Sequence, residues 1–238
     1  MNLNIKLDQV LFLDIETVPK YEDWSQLTEK EKDLFDKKTS YQRKEEFTPE
    51  EFYSRAGIWA EFGKIICISV AFFNPASKEK QLRVRSFYGD NEIEILQSFK
   101  DLLDTHFSKS NHLLCAHNGK EFDFPFIARR MLVHGINLPK KLNLFGKKPW
   151  EVPHLDPLEL WKFGDYKNYI SLDLLTATLN IPTPKDDIDG SKVAEVYYKQ
   201  RNLDRIVNYC EKDTIAVAQI LLRMNNERIL AEENIVKI

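Results

Sequence analysis

Runs of apolar residues predict the strands of a sheet. Residues 10–17 begin as an apolar run and end in acidic residues, which is typical of a buried strand that is covered on both faces. Residues 64–73 form a second apolar strand. After a turn at 74–77, residues 81–87 alternate between polar and apolar positions, as a half-exposed edge strand does. The short turn predicts that these two strands pair in antiparallel orientation.

A charged segment of about residues 20–62 separates the first strand from the second. Its first part has few apolar anchors and predicts a solvated helix or a mobile insertion. Thr48, Pro49 and Glu51 then predict a helix start, with Thr48 as N-cap and Glu51 completing a capping box. We therefore expect a single domain over the whole chain, interrupted by a charged helical insertion.

The second half of the chain carries mostly helical patterns. Asp90 is expected to cap an amphipathic helix, and a helix that starts at Asp123 is expected to end at Gly135. Short strands are predicted at 112–116 and 152–156. Further helical segments are predicted at 158–163, 171–179, 191–201 and about 204–229. Together these patterns predict an α/β fold with a mixed sheet of about five strands, one of them antiparallel, and helices on both faces.

Composition and charge limit the class of protein. Apolar residues make up 43% of the 238 positions, which is enough for a packed core. With a formal net charge of −3, any contact with a polyanion depends on local basic patches or on metal. The three cysteines show neither a disulfide framework nor metal-ligand spacing. The N-terminus lacks the apolar core of a signal peptide and no apolar run could span a bilayer, so we expect a cytoplasmic protein with no membrane partner.

Two carboxylates end the first predicted strand. Asp14 and Glu16 are two positions apart, so their side chains point to the same face of the strand. Neighbouring anions repel each other, and burying either one is costly unless a cation or a proton compensates. A divalent cation with oxygen ligands, such as Mg²⁺, would compensate both. The alternative is an exposed acidic strand end beside a loop, and the pair by itself favours that alternative.

The last predicted helix carries a third carboxylate on its core-facing side. That side is expected to hold Ile206, Tyr209, Asp213, Ala216 and Ile220, which alternate in steps of 3 and 4 residues. Tyr209 and Asp213 are one turn apart, so their side chains can meet. Asp213 needs a partner there, which is either the metal inferred for the acidic pair or, on the rim of the sheet, a hydrogen bond to a loop.

A fourth acidic residue follows the strand at 112–116. Asp123 opens a helix, where free amides and the helix dipole favour an acid, so capping alone can explain it. Asn118 and Gly119 precede it and permit a tight turn and a close approach of the backbone to a ligand. Open α/β sheets bind ligands at the C-terminal ends of their strands, so Asp123 is also a candidate for a binding site.

Taken together, these motifs resemble a known superfamily. Asp14-x-Glu16, the stretch 117–123 and Tyr209-x-x-x-Asp213 resemble the three exonuclease motifs of the DEDD (DnaQ-like) superfamily of 3′→5′ exonucleases. The resemblance covers nearly the whole chain and implies a ribonuclease-H-like fold.

The resemblance extends to a subtype. Tyr209 lies four residues before Asp213, as in the tyrosine subtype, whereas the histidine subtype would have histidine where Asn208 stands. Residues 188–193 and the residues around Tyr209 are most similar to the stand-alone branch described as family-B-polymerase-like predicted exonucleases.

The resemblance also implies the roles of the site residues. Asp14, Glu16, Asp123 and Asp213 would bind two Mg²⁺ or Mn²⁺ ions, with Asp14 bridging both, Glu16 and Asp213 completing the first, and Asp123 holding the second. Tyr209 would orient the attacking water, and its reference pKa of about 10 makes it a hydrogen-bond positioner rather than a base. The implied reaction is two-metal hydrolysis of phosphodiester bonds at the 3′ end of single-stranded DNA, which releases nucleoside 5′-monophosphates.

Further residues are weaker candidates. Thr17, Asn118 and Phe122 are candidate contacts to the substrate, although a loop threonine and a turn-forming asparagine are simpler interpretations of the first two. The loop at 140–150 combines lysines with aromatic residues and could guide a single strand, but a solvated basic loop explains it more simply. Asp156 is a weak candidate for a group that supports the site.

Two alternative functions stay open. The substrate could be RNA, since no residue visibly reads the 2′-hydroxyl group. The protein could also be a catalytically silent nucleic-acid-binding module. The four intact carboxylates speak against silence, because a silent relative has no need to keep acids that repel one another.

Overall fold

The computed structural model describes residues 5–44, 46–182 and 188–238. Within these ranges five strands form one mixed sheet in the order β4-β1-β2-β3-β5. Their bounds are β1 Val10–Pro19, β2 Gly63–Phe73, β3 Leu82–Tyr88, β4 Leu113–Cys115 and β5 Ile235–Lys237. β2 runs antiparallel to β1 and β3, whereas β4 pairs with β1, and β5 with β3, in parallel. The predicted α/β fold with one antiparallel strand is confirmed, and the arrangement is consistent with a ribonuclease-H-like fold.

The fifth strand is not the predicted one. The segment 152–156 contributes one bridge among the described residues, between Leu155 and Cys115, and forms no strand of its own. The additional strand is β5, whose three residues are too few to show a period in the sequence. β5 pairs with the beginning of β3, from Leu82 to Val84, so the prediction of β3 as an open edge strand is wrong for that part.

Helices cover both faces of the sheet. Their bounds are α1 Glu29–Arg43, α2 Pro49–Phe52, α3 Glu92–His106, α4 Asp123–Val133, α5 Pro157–Trp161, α6 Leu172–Thr178, α7 Val193–Tyr198 and α8 Leu203–Met224. Leu11 and Leu13 of β1 share an apolar core with α3 and α4, whereas Val10 and Phe12 share one with α8. Both faces of β1 are therefore buried, which explains its continuous apolar run. None of the helices in the described ranges combines the length and apolar character that a membrane span needs.

The start of α3 differs from the prediction. Asn91, not Asp90, is its N-cap, and the Asn91 side chain accepts a hydrogen bond from the backbone N–H of Ile93 (3.2 Å). Asp90 instead accepts a hydrogen bond from the hydroxyl group of Tyr197 (2.6 Å). Both residue types cap helices well, so only this distant tyrosine distinguishes between them.

The C-terminal end of α4 agrees with the sequence prediction, whereas that of α8 does not. α4 ends as predicted before Gly135, which has a φ of 67°. α8 ends at Met224, earlier than the predicted end near residue 229. Asn226 has a φ of 60°, so the chain turns away there. Asparagine tolerates this conformation and is a weaker stop signal than glycine.

The charged insertion is helical, as predicted, but it is not merely solvated. Phe35 of α1 is fully buried, and its ring meets those of Trp24, Tyr53 and Phe62 edge-on, at centroid distances of 5.7, 5.6 and 5.1 Å. These aromatic residues are spread along the segment and do not form a helical stripe, which is why the pattern of α1 alone did not reveal a core. The predicted capping box at Thr48 is present and begins α2.

Candidate active site

The C-terminal half of β1 lies beside the middle of α8. The thiol of Cys210 donates a hydrogen bond to the carbonyl of Asp14 (3.4 Å). The hydroxyl group of Thr214 donates one to the carbonyl of Ser69 (3.4 Å), which is paired with Asp14 across β1 and β2. These contacts fix the rotation of α8, so that the helix face bearing Asp213 meets the acidic end of β1.

Asp14 and Glu16 both line a cleft at this end of β1, which confirms that their side chains share a face of the strand. A carboxylate oxygen of each and the sulfur of Cys210 lie within 4.8 Å of one another. Burial raises the pKa of Asp14 well above its usual range, and the charges of Glu16, Asp123 and Asp213 raise it further. Burial likewise raises the pKa of Glu16, and Asp213 is its strongest charged neighbour. The alternative of an exposed acidic strand end is therefore wrong.

Asp123, the first residue of α4, is not among the residues that line this cleft. It is 2% exposed, and its Oδ1 atom has no hydrogen-bond partner among the described residues. Burial raises the pKa of Asp123 to about 8. The charge of Asp156 also raises this pKa, while the backbone amides of Asp123 and Ile15 lower it. Ile15 lies between Asp14 and Glu16 in β1, so Asp123 belongs to the same cluster, and helix capping alone does not account for it.

Tyr209 and Asp213 meet on α8, as predicted. The Tyr209 side chain forms a hydrogen bond with that of Asp213. Burial raises the pKa of Tyr209 far above its ordinary value of 10.0, and the charges of Asp213, Glu16 and Asp14 add to this effect. The phenol therefore stays protonated near neutral pH, where it can donate a hydrogen bond but cannot act as an ionised base.

Cys210 is a member of the cluster that sequence reasoning missed. The single proton of its thiol is shared between Oδ2 of Asp14 (3.3 Å) and the backbone carbonyl of the same residue (3.4 Å). Burial raises the pKa of this thiol well above its usual range, as do Cys67, Asp14 and Glu16, so the thiol stays protonated. A protonated thiol can orient the Asp14 carboxylate but is a poor ligand for a hard cation. Only its spacing of three residues from Asp213 could have pointed to it.

The turn between β4 and α4 is shaped by Asp156. Its carboxylate accepts hydrogen bonds from the backbone N–H groups of Asn118 (2.9 Å) and Lys120 (3.2 Å). Asn118 has a φ of 58°, and a Cβ atom on Gly119 would overlap the side chain of Ala116. Gly119 therefore permits a close contact with Ala116 of the same chain, and not the expected approach of the backbone to a ligand. Asp156, a weak candidate in the sequence, supports the turn that leads into α4.

A comparison with protein families agrees with this geometry. Residues 58–234 match a family described as "Predicted 3'-5' exonuclease related to the exonuclease domain of PolB". The protein belongs to this family. The matched region includes Asp123, Tyr209 and Asp213. It begins after β1, so the fold, not the family match, brings Asp14 and Glu16 to the same place.

In this predicted exonuclease the cluster opens into a cleft of about 480 Å³, which we call the carboxylate cleft. Of the predicted substrate contacts, Thr17 and Phe122 line the cleft, whereas Asn118 does not. Further wall residues come from the insertion and from the start of α7 with the turn before it: Ser54, Arg55, Gly57, Ile58, Gly190, Ser191 and Ala194. The insertion thus forms part of the site, which its sequence did not indicate.

Proposed function

We propose that the protein is a metal-dependent 3′→5′ exonuclease of the tyrosine subtype of the DEDD superfamily. It hydrolyses phosphodiester bonds at the 3′ end of single-stranded DNA and releases nucleoside 5′-monophosphates. The observation that carries the proposal is the convergence of four carboxylates from three elements: Asp14 and Glu16 from β1, Asp123 from α4 and Asp213 from α8. The charges of the other three all raise the pKa of Asp14, so the cluster opposes folding unless protons or cations neutralise it.

The donor atoms suit a divalent cation that prefers oxygen ligands. Carboxylate oxygens are the usual ligands of Mg²⁺ and Mn²⁺. The buried Oδ1 atom of Asp123 has no partner among the described residues, as expected of an oxygen that completes its contacts with a ligand. We assign two Mg²⁺ or Mn²⁺ ions to Asp14, Glu16, Asp123 and Asp213. Such ions lower the pKa of water and neutralise charge on the phosphate and the leaving oxygen.

The protein's own side chains position the reactants. Tyr209 stays a neutral phenol, so we propose that its hydroxyl group donates a hydrogen bond that orients the reactants beside Asp213. Cys210 holds the Asp14 carboxylate by its thiol hydrogen bond. The ring of Phe122 lines the cleft and can stack on the terminal base, and Thr17 lines the cleft beside the acidic pair.

Digestion of 5′-labelled single-stranded DNA with Mg²⁺ or Mn²⁺ tests the proposal. We expect progressive shortening from the 3′ end, release of nucleoside 5′-monophosphates, and no reaction with chelator. Asp213→Asn should abolish cleavage and weaken Mn²⁺ binding measured by calorimetry. A matched RNA strand is digested in parallel. Faster cleavage of RNA than of DNA would mean that RNA is the substrate. A folded protein that leaves both strands intact with either metal refutes the proposal.

Tyr209→Phe tests the role of the phenol. The variant loses only the hydroxyl group, so we expect it to bind Mn²⁺ normally. Its kcat should fall roughly tenfold or more, since a hydrogen bond to a charged group is worth about 1.5–3 kcal/mol. Tyr169→Phe is the control, because Tyr169 is 68% exposed and does not line the cleft. An undiminished kcat in Tyr209→Phe would contradict the assigned role.

A further inference from the structure

The carboxylate cleft continues along the insertion. Arg55 and Ile58, in the 3₁₀ helix Tyr53–Ile58, line both the cleft and a more open depression, which we call the insertion hollow. The other side chains that line the hollow come from the end of α1: Ser40, Tyr41, Gln42 and Lys44. Because Arg55 and Ile58 belong to both walls, the two spaces adjoin each other, and a chain whose end lies in the cleft can extend along the insertion.

The 3₁₀ helix is held close to β1, the strand that carries Asp14 and Glu16. A Cβ atom on Gly57 would lie 3.0 Å from the backbone of Val18 in β1, so only glycine permits this seating without displacement. The guanidinium group of Arg55 lies over the ring of Phe52, 5.1 Å from its centroid. The Arg55 side chain is therefore supported at the edge of the carboxylate cleft.

The charge changes sign along this route. Lys44 and Arg55 are the charged residues on the wall of the insertion hollow; they are exposed, and neither forms a salt bridge within the described ranges. Most other cations of the insertion are neutralised in ion pairs, which are Lys20–Glu31, Lys32–Glu29, Lys37–Asp33, Lys38–Glu61 and Arg43–Asp36. Lys44 and Arg55 thus remain available to an anionic ligand.

An exposed aromatic ring accompanies these cations. Tyr41 lies near the end of α1, away from the buried residues Phe35, Thr39 and Arg43, and is 91% exposed. Proteins bind single-stranded nucleic acid by stacking bases on aromatic rings while cations contact the phosphates. Tyr41, Lys44 and Arg55 provide both elements beside a cleft that already holds a carboxylate cluster.

The basic loop at 140–150 is the rival surface. Phe145 and Lys147 line a different hollow with Arg129, and that hollow also contains Glu121 and Glu159. Among the described residues it shares no wall with the carboxylate cleft. The shared wall residues and the uniform positive charge therefore favour the insertion.

We propose that the insertion binds the part of a single-stranded nucleic acid that leads away from the site. Arg55 contacts a phosphate close to the scissile one, Lys44 contacts a phosphate further along, and Tyr41 stacks on a base. The inference rests on the proposed exonuclease function and adds the path of the substrate strand.

The test compares a long substrate with a short one. The wild type and a Tyr41→Ala/Lys44→Gln double variant are assayed on a single strand of about 20 nucleotides and on a dinucleotide. We expect the ratio of kcat/KM for the strand to kcat/KM for the dinucleotide to fall roughly fivefold or more in the variant, since one stacking contact is worth at least that factor. A Phe145→Ala/Lys147→Gln double variant removes the same kinds of group from the rival hollow and should keep the wild-type ratio.

Salt dependence tests Arg55 separately. Binding of the strand is measured by fluorescence anisotropy in the Asp213→Asn background. Arg55→Gln should reduce the slope of log affinity against log salt concentration by about 0.7, the value for one phosphate contact in a single strand, and Arg55→Lys should restore the slope.

The outcomes separate this inference from the function on which it rests. If the wild type cleaves neither the strand nor the dinucleotide, the proposed function fails and the inference fails with it. If the wild type cleaves both, but the insertion variants keep the wild-type ratio and salt slope, only the inference is overturned. A fall in the ratio for the Phe145→Ala/Lys147→Gln variant alone would place the strand on the rival surface and would also overturn it.

Discussion

Asp123→Asn should stabilise the metal-free protein, and the gain should grow with pH. Burial raises the pKa of Asp123 from 3.8 to about 8 in the folded protein. Between these values the folded protein keeps a proton that the unfolded chain has lost, so the stability of the wild type falls as the pH rises. Asparagine keeps nearly the same shape and has no proton to lose in this range, so the variant lacks this loss.

The size of the effect follows from the pKa values. Each pKa unit corresponds to about 1.36 kcal/mol, so the rise from 3.8 to about 8 amounts to roughly 6 kcal/mol for a fully buried Asp123. Between pH 5 and pH 7 the stability difference between variant and wild type should therefore widen by roughly 2.7 kcal/mol, and above about pH 8 it should level off.

Urea unfolding followed by far-ultraviolet circular dichroism, with chelator present, measures this difference at several pH values. Asp101→Asn is the matched control, since Asp101 is exposed on α3 and far from the cluster in sequence. Added Mg²⁺ or Mn²⁺ should stabilise the wild type more than Asp123→Asn, because a ligand stabilises the state that binds it. A stability difference that stays constant from pH 5 to pH 7 would refute the argument that Asp123 is buried at an energetic cost.

Three further substitutions test other parts of the structure. Cys210→Ala should lower kcat by roughly two- to tenfold, whereas Cys210→Ser, which keeps a hydrogen-bond donor, should not. Equal kcat values for the two variants would show that the thiol hydrogen bond plays no part in the reaction. Glu92→Gln leaves the buried guanidinium of Arg130 without its ion pair and should cost about 3–5 kcal/mol in urea unfolding, whereas a loss below about 1 kcal/mol would contradict this. Gly119→Ala forces a Cβ atom against Ala116 and should lower stability by about 1–3 kcal/mol, which an unchanged melting temperature would disprove.

Local periodicity explains what could be predicted from the sequence. A strand buried on both faces is apolar at every position, so β1 and its acidic end were recognisable without a structure. The spacing of α8 placed Tyr209 and Asp213 on one face, and the structure has them in contact. The shared face of Asp14 and Glu16 follows from the strand period of two residues, and that of Tyr209 and Asp213 from the helical period of 3.6. Each period is a property of the element itself and does not depend on contacts with the rest of the chain.

The missed features depend on contacts between distant parts of the chain. In the sequence Cys210 is one of three cysteines without metal-ligand spacing, and only the fold places its thiol beside Asp14. Arg55 reads as one charge in a charged segment, and only the seating of Gly57 on β1 brings it to the cleft. Asp90 and Asn91 are equally good caps in sequence, and Tyr197 decides between them from far along the chain. No local pattern carries this information.

In the proposed function, the cations of the insertion offset the repulsion between the carboxylate cluster and the substrate strand. Where protons or metal ions do not neutralise its carboxylates, the cleft repels an anionic strand, and a protein with a net charge of −3 provides no overall attraction. At physiological ionic strength a charge acts over about 8 Å, so only cations close to the cleft can offset this repulsion. Arg55 lies on the cleft wall itself, and Lys44 lines the adjoining insertion hollow. In the proposed function the cations must act where the strand enters, and the seating of Gly57 against β1 holds Arg55 at that place.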